Sequence, residues 1–339
     1  MKKIRVEAAI GETLCHDMTA ILANGFKGVK FHRGHVIREE DIPELLDMGK
    51  TQIFVWEPEA DEVHEDDAAR ALVQVMCGDG IAYSGPTEGK FQLTATVDGI
   101  FCINENALIA INSVDDYTVA CRKSLTRVKA GDKLAGARIV PLVTKRANVE
   151  AAVKVAEAHA PVLCVKPLAP LKTGIIITGS EIFTGRIPDR FEPILRRKMA
   201  DFGAPVIGAT LCDDDTQMIL DAIESHRANG AELILLTGGM SVDPDDLTPG
   251  AIRATGAQII TQGVPMQPGN MLTIAKLPGV TLVGVPGASM HSPVTSLDVF
   301  LPRILAGLEI SAADIARLGN GGFCLNCAQC HFPNCGFGS

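Results

Sequence analysis

The 339-residue sequence is short of four things. No apolar run approaches the ~20 residues that a membrane span requires; the most apolar stretches, 233–236 and 280–285, are far shorter. Positive charge is in deficit, since 31 Lys and Arg face 40 Asp and Glu, for a net charge of −9 and a pI near 5.4. That balance argues against a protein built to grip a nucleic-acid backbone. An apolar h-region is also missing after the basic Lys2 and Lys3, so no export signal is legible and the expected address is the cytoplasm. Aromatics are scarce at 4%. The rest of the composition, 47% hydrophobic and 21% charged, is that of a globular protein and excludes disorder and collagen-like repeats. An acidic chain can still take an anionic small molecule if backbone amides or a metal offset its carboxylates.

The length suggests two or three domains. Residues 1–170 read as an α+β, β-rich region: a short strand at 4–6, a glycine-rich stretch at 25–34, a helix over 39–48 and a strand at 51–56. The acidic run 57–67 reads as solvated surface and the start of a helix over 66–76. Strands at 91–97 and 100–103 flank Asp98-Gly99, which predicts a two-residue hairpin. A proline-rich linker carries Pro161, Pro167 and Pro170.

Beyond it the pattern changes. Apolar strands at 174–178, 206–210, 233–237, 271–275 and 280–285 alternate with helices at 191–202, 216–228 and 292–305. Strands that are apolar throughout predict a mostly parallel sheet covered on both faces, an α/β domain over 171–308. Its ligand site is expected beyond the carboxyl ends of those strands.

Three strand-end loops carry candidate chemistry. The first is Thr178-Gly179-Ser180-Glu181 with Gly185 and Asp189. The second is Gly238-Gly239-Met240-Ser241, followed by Asp243 and Asp246. The third is the pair Gln267-Pro268-Gly269-Asn270 and Val285-Pro286-Gly287-Ala288-Ser289. Two glycines after a buried strand let backbone N–H groups meet an anion closely. Ser241 adds a hydroxyl donor, and the carboxylates beyond suit Mg²⁺ bound jointly with a phosphate. The plainer reading of the second loop is a tight turn with surface acids. Lesser candidates are His291, the Asp213-Asp214-Asp215 run, whose plainer role is helix capping, and Arg186 or Arg190 as phosphate contacts.

In this order the loops resemble the molybdopterin-binding domain family. That family includes gephyrin, the molybdopterin molybdenumtransferases and adenylyltransferases, and the competence/damage-inducible nucleotide-processing proteins. The resemblance covers 171–308 and implies a three-layer α/β domain that binds the pterin phosphate of molybdopterin. Thr178, Gly179, Ser180, Gly238, Gly239, Ser241, Pro268, Gly269, Pro286 and Gly287 would then be cofactor-binding. Glu181 and Asp246 would match the acidic positions that handle Mg²⁺ or the reacting groups. The chain departs from the molybdenum-inserting members at Gln267 and Asn270, where those carry lysines, and at Asp243, where they carry glycine. Their LPGNP motif is Val285-Pro286-Gly287-Ala288-Ser289 here.

Ten cysteines divide by position. Cys15, Cys77, Cys102, Cys121, Cys164 and Cys212 are scattered in apolar contexts and read as small core residues. Cys324, Cys327, Cys330 and Cys335 cluster in a tail, 309–339. Their two-residue gaps suit an iron–sulfur cluster; zinc with His331 as a substitute ligand, disulfides and a metal-free tail are the alternatives.

The expected function is binding of molybdopterin, or of its nucleotide form, in molybdenum cofactor biosynthesis or maturation, with molybdotransferase-like turnover left open. A non-catalytic storage or delivery module for a client molybdoenzyme is the second reading. A nucleotide pyrophosphatase of the competence/damage-inducible type is the third. No nucleic-acid or membrane partner is expected, and a homo-oligomer is consistent with the resemblance.

Overall fold

Side chains alternate across a strand, so a strand buried on both faces must be apolar at successive positions. Thr173–Thr178 (β1) is buried at all six positions. Ile175 and Ile177 pack with Leu195, Met199, Phe300 and Leu301, whereas Ile176 packs with Ile219, Ile223 and Ile252. Two separate cores, one on each face of a single sheet, follow directly from that alternation.

The computed structural model describes residues 2–21, 25–55, 59–240 and 246–338. The chain divides into two compact units. The second comprises Lys166–Ser339 together with Asp98–Ile100 and Lys123–Val128. Its remaining strands are Val206–Cys212 (β2), Leu233–Thr237 (β3), Gln258–Gln262 (β4), Thr273–Leu277 (β5) and Val280–Gly284 (β6). They form one sheet in the order β2-β1-β3-β6-β5-β4. The first four neighbours are parallel, and β5 is the one reversed strand, antiparallel to both β6 and the edge strand β4. Thus the sheet is mostly parallel.

The helices of this unit are Ser180–Phe183 (α1), Phe191–Asp201 (α2), Thr216–Ala228 (α3), Thr248–Ala254 (α4), Ser296–Leu305 (α5) and Ala312–Arg317 (α6). Helices α2 and α5 cover one face, and α3 and α4 the other. This is a three-layer α/β arrangement. The α3 start is fixed by Asp215, which accepts a hydrogen bond from Met218 N at 2.7 Å. The segment Lys123–Val128 is tied into the unit by Arg127, whose guanidinium lies 4.4 Å from the Phe202 ring centroid and donates to Asp201 O at 2.7 Å.

The first unit is α+β. Four antiparallel strands stand in the order Ile81–Thr87, Lys90–Ala95, Lys133–Ile139, Tyr117–Cys121. Helix Glu65–Met76 buries Ala68, Leu72, Val73 and Met76, and Tyr117 OH donates to Ala68 O at 2.9 Å. The hairpin expected at Asp98-Gly99 does not form. Lys90–Ala95 is paired on both edges, by Ile81–Thr87 and Lys133–Ile139, so Gly99–Ile103 takes no place in that sheet. The tight turn falls instead at Glu88-Gly89, both left-handed, between the paired Thr87 and Lys90. The glycine-rich stretch holds a strand, Lys27–Phe31, paired with Met18–Ile21.

Among the described residues, no helix is long and apolar enough to cross a membrane.

Candidate functional site

Each wall of the site begins where a buried strand ends. At the end of β1, Thr178 is buried, and Gly179 (φ +138°) opens the short helix α1. At the end of β3, Thr237 is buried, and Gly238 and Gly239 both have positive φ, +89° and +51°. A side chain at Gly238 would run into the Thr178 carbonyl oxygen and approach its Oγ1 to 2.6 Å. Only glycine therefore lets the second loop turn this tightly against the first. The buried Thr248 locks the junction from below: its Oγ1 lies 3.1 Å from Thr178 Oγ1 and donates to Gly238 O at 2.9 Å.

These loops surround a cavity of about 1110 Å³. Thr178, Gly179, Ser180, Glu181, Gly238, Gly239 and Asp246 line it. Ser241, with Asp243 and Asp245, lies outside the described residues. The cavity also takes in residues that motif reading ranked low or missed. Asp214 is one: its Oδ2 accepts from Ser180 N at 2.9 Å, and Asp213 accepts from the Ser180 hydroxyl. The serine hydroxyl first, and then the Asp214 amide, which donates to Asp213 Oδ1 at 2.8 Å, hold the Asp213 carboxyl below its ordinary range. Arg190, Leu247, Met290 and His291 complete the polar and apolar lining used below. Arg186 is not part of it. Among the described residues, three carboxylates, Glu181, Asp214 and Asp246, thus line the cavity with one guanidinium and one imidazole. A phosphate would meet net negative side-chain charge there, so glycine amides and a cation must supply the attraction.

The two Pro-Gly loops shape the site without lining this cavity. Ser296, at the start of α5, donates from Oγ to Gly269 O at 2.6 Å and from N to Pro268 O at 3.2 Å. A Cβ at Gly269 (φ +105°) would lie 2.5 Å from Ser296 Oγ, so glycine is required for the approach. The preceding residue, Thr295, has its Oγ1 3.1 Å from Ser289 Oγ in the short helix Gly287–Met290, after Pro286. That helix delivers Met290 and His291 to the cavity wall.

The ten cysteines are all free thiols. Cys15, Cys164 and Cys212 are buried. Burial pushes the Cys77 thiol up to about 12 and those of Cys121 and Cys212 up to about 11, so these three stay protonated and inert. Cys327, Cys330 and Cys335 are exposed and Cys324 is partly so. Among the described residues, no three His, Cys, Asp or Glu side chains are gathered closely enough to hold a single metal ion. The tail thiols expected as ligands are thus not preassembled around one point.

Residues 174–306 match the family described as "Probable molybdopterin binding domain". Over this segment the chain is similar to that family, and the match does not extend to the rest of the chain. Residues 3–57 match a second family, described only as "Domain of unknown function (DUF8806)". A CinA-like protein of Mycobacterium sp. (strain JLS) is 33% identical over 90 residues, 26% of this chain and 21% of its own length. A molybdenum cofactor biosynthesis bifunctional protein of Synechococcus elongatus is 31% identical over 156 residues, 42% of this chain and 49% of its own. The chain therefore spans between about a fifth and a half of these relatives. Among solved structures, the tungsten cofactor synthesizing protein MoaB from Pyrococcus furiosus is similar to 40% of this chain and 97% of its own, at 16% identity and a TM-score of 0.33.

Proposed function

We propose that the molybdopterin-binding domain of this chain takes the phosphate of molybdopterin, or of its nucleotide form, in the cavity at the ends of β1 and β3, and that the protein acts in molybdenum cofactor maturation. One observation carries the reading: the Gly238-Gly239 turn, which admits no side chain at Gly238, gives the cavity a wall of bare backbone. Arg190, which also lines the cavity, would add a charge-assisted contact.

The carboxylates suit Mg²⁺. That ion takes one or two carboxylates and completes its shell with water and substrate phosphate, so it needs no three-residue cage. Asp246 and Glu181, which both line the cavity, would hold it. When bound, the ion neutralises phosphate charge and polarises a phosphoryl oxygen. The chain's own residues bind and orient: glycine amides and Arg190 fix the phosphate, and His291 is placed at the rim of the same cavity.

The test is binding of molybdopterin to the purified chain with Mg²⁺, with chelator, and in Asp246→Asn. Binding that weakens about tenfold or more on losing the ion or the carboxylate supports the reading. Absence of binding by the wild-type chain with Mg²⁺ present overturns it.

A second reading, nucleotide pyrophosphatase action, is favoured by the similarity to CinA-like proteins over 90 residues and by serine in Thr178-Gly179-Ser180-Glu181. Hydrolysis of ADP-ribose by the wild-type chain would support it. Storage without turnover is favoured by Gln267 and Asn270, which offer molybdate no cationic contact. Incubation with molybdate, Mg²⁺ and adenylylated molybdopterin separates these, since AMP release contradicts pure storage.

A further inference from the structure

The four tail thiols contribute nothing to the pterin cavity, yet they share a cavity of their own. Cys324, Cys327, Cys330 and Cys335, with His331, line a space of about 430 Å³ whose other walls are mainly apolar, including Phe323, Phe332 and Phe337. Both ends of the segment are fastened. Gln267 N donates to Gly322 O and Cys324 N to Gln267 O, each at 2.8 Å. At the far end Phe337 is buried, Gly338 N donates to Gly321 O at 3.0 Å, and Arg303 donates to Gly338 O at 3.0 Å. Between these anchors the chain forms neither helix nor strand, and three of its cysteines are exposed. A loop of this length with pinned ends and no core of its own is stabilised by a cross-link.

We propose that this cavity is the seat of an iron–sulfur cluster ligated by Cys324, Cys327, Cys330 and Cys335. The four thiols line one cavity, and their sequence spacing selects a cluster over a single ion. The two successive two-residue gaps match cluster ligation, whereas zinc sites more often set two Cys pairs apart. The apolar side chains Phe323, Phe332 and Phe337 give such a cluster a low-dielectric wall. Loading is a ligand exchange with a pre-assembled cluster: each S–H proton leaves to solvent, an Fe–S bond forms, the former thiolate ligand departs, and no electron moves. The inference is independent of the pterin reading. It does place the cluster in the same unit as the pterin cavity, because Ser292 and Pro293 line the first and the adjoining Met290 and His291 line the second.

The test is anaerobic purification of the full chain from iron-replete cells, with iron, acid-labile sulfide and zinc measured alongside the visible spectrum. The expected result is about four iron and four sulfide per chain with a broad visible absorption. Cys330→Ser should lose most of both, while Cys212→Ser, which alters a core thiol, should keep them. Molybdopterin binding by the Cys330→Ser chain, or an unchanged thermal transition of its α/β unit, reports that it is folded. Zinc at one per chain without iron, a metal-free wild-type chain, or iron that survives Cys330→Ser in a folded chain overturns the proposal.

Discussion

Gly238 lies so close to Thr178 that no side chain fits between them: a Cβ would stand 2.6 Å from the threonine Oγ1 and collide with its carbonyl oxygen. Two neighbouring parallel strands thereby end in contact, and the turn that follows is dictated by van der Waals radii rather than by loop composition.

Gly238→Ala should accordingly destabilise the chain by about 2 kcal/mol or more, through the clash and a φ of +89° that alanine resists. Gly287→Ala meets nothing within 4 Å and should stay within about 0.5 kcal/mol of wild type. Urea unfolding midpoints compare them directly, and equal losses would contradict the steric account.

Thr248 supports the same turn by hydrogen bonds alone. Thr248→Val keeps the shape but leaves Gly238 O and Thr178 Oγ1 short of a buried partner, at a cost of about 1–3 kcal/mol. A shift below about 0.5 kcal/mol would mean that another group, or water, takes over.

Asp298 serves two masters. It closes the capping box of α5 by accepting from Thr295 N at 2.8 Å, and it pairs with the largely buried Lys198. Asp298→Ala should cost about 2–4 kcal/mol, since it removes a cap and strands a buried cation. Adding Lys198→Met should recover part of that loss. A strictly additive double mutant would show that the pair is not coupled.

Glu65 makes the first unit sensitive to pH. Burial raises its carboxyl to about 7 from an ordinary value near 4.5, outweighing Arg138 at 3.4 Å, which pulls the other way. The folded chain keeps this proton in a range where the unfolded chain has released it. The contribution is therefore full below about 4.5 and is lost as pH rises through about 7. Glu65→Gln mimics the protonated form, so its stability advantage over wild type should grow between pH 5 and 8, by on the order of 2–3 kcal/mol. A difference that stays flat with pH would falsify this assignment.

The α/β unit was legible because its signals are local. The helix Thr216–Ala228 and the strand Leu233–Thr237 have the bounds expected from periodicity, with Asp215 as the cap. Helix α4 and strand β4 were not anticipated, as the helix is short and β4 is only partly buried. At Asp98-Gly99 a local turn signal lost to the pairing of Lys90–Ala95 on both of its edges. Glycines and acids of the candidate site could be read from their loops, but the Ser180–Asp214 bond joins residues 34 apart. Only the placement of the Asp213-Asp214-Asp215 run after a strand hinted at it. Thr248 carried no motif at all.

Thr295 and Ser296 are adjacent, yet each holds a different Pro-Gly loop: Ser289 beyond Pro286-Gly287 on one side, Pro268-Gly269 on the other. Both loops are thus clipped to the first turn of a helix whose residues are nearly all buried. Displacing either loop therefore breaks a hydrogen bond to the turn that also holds the other, so the two Pro-Gly segments, and the Met290 and His291 wall that follows one of them, share a single mooring.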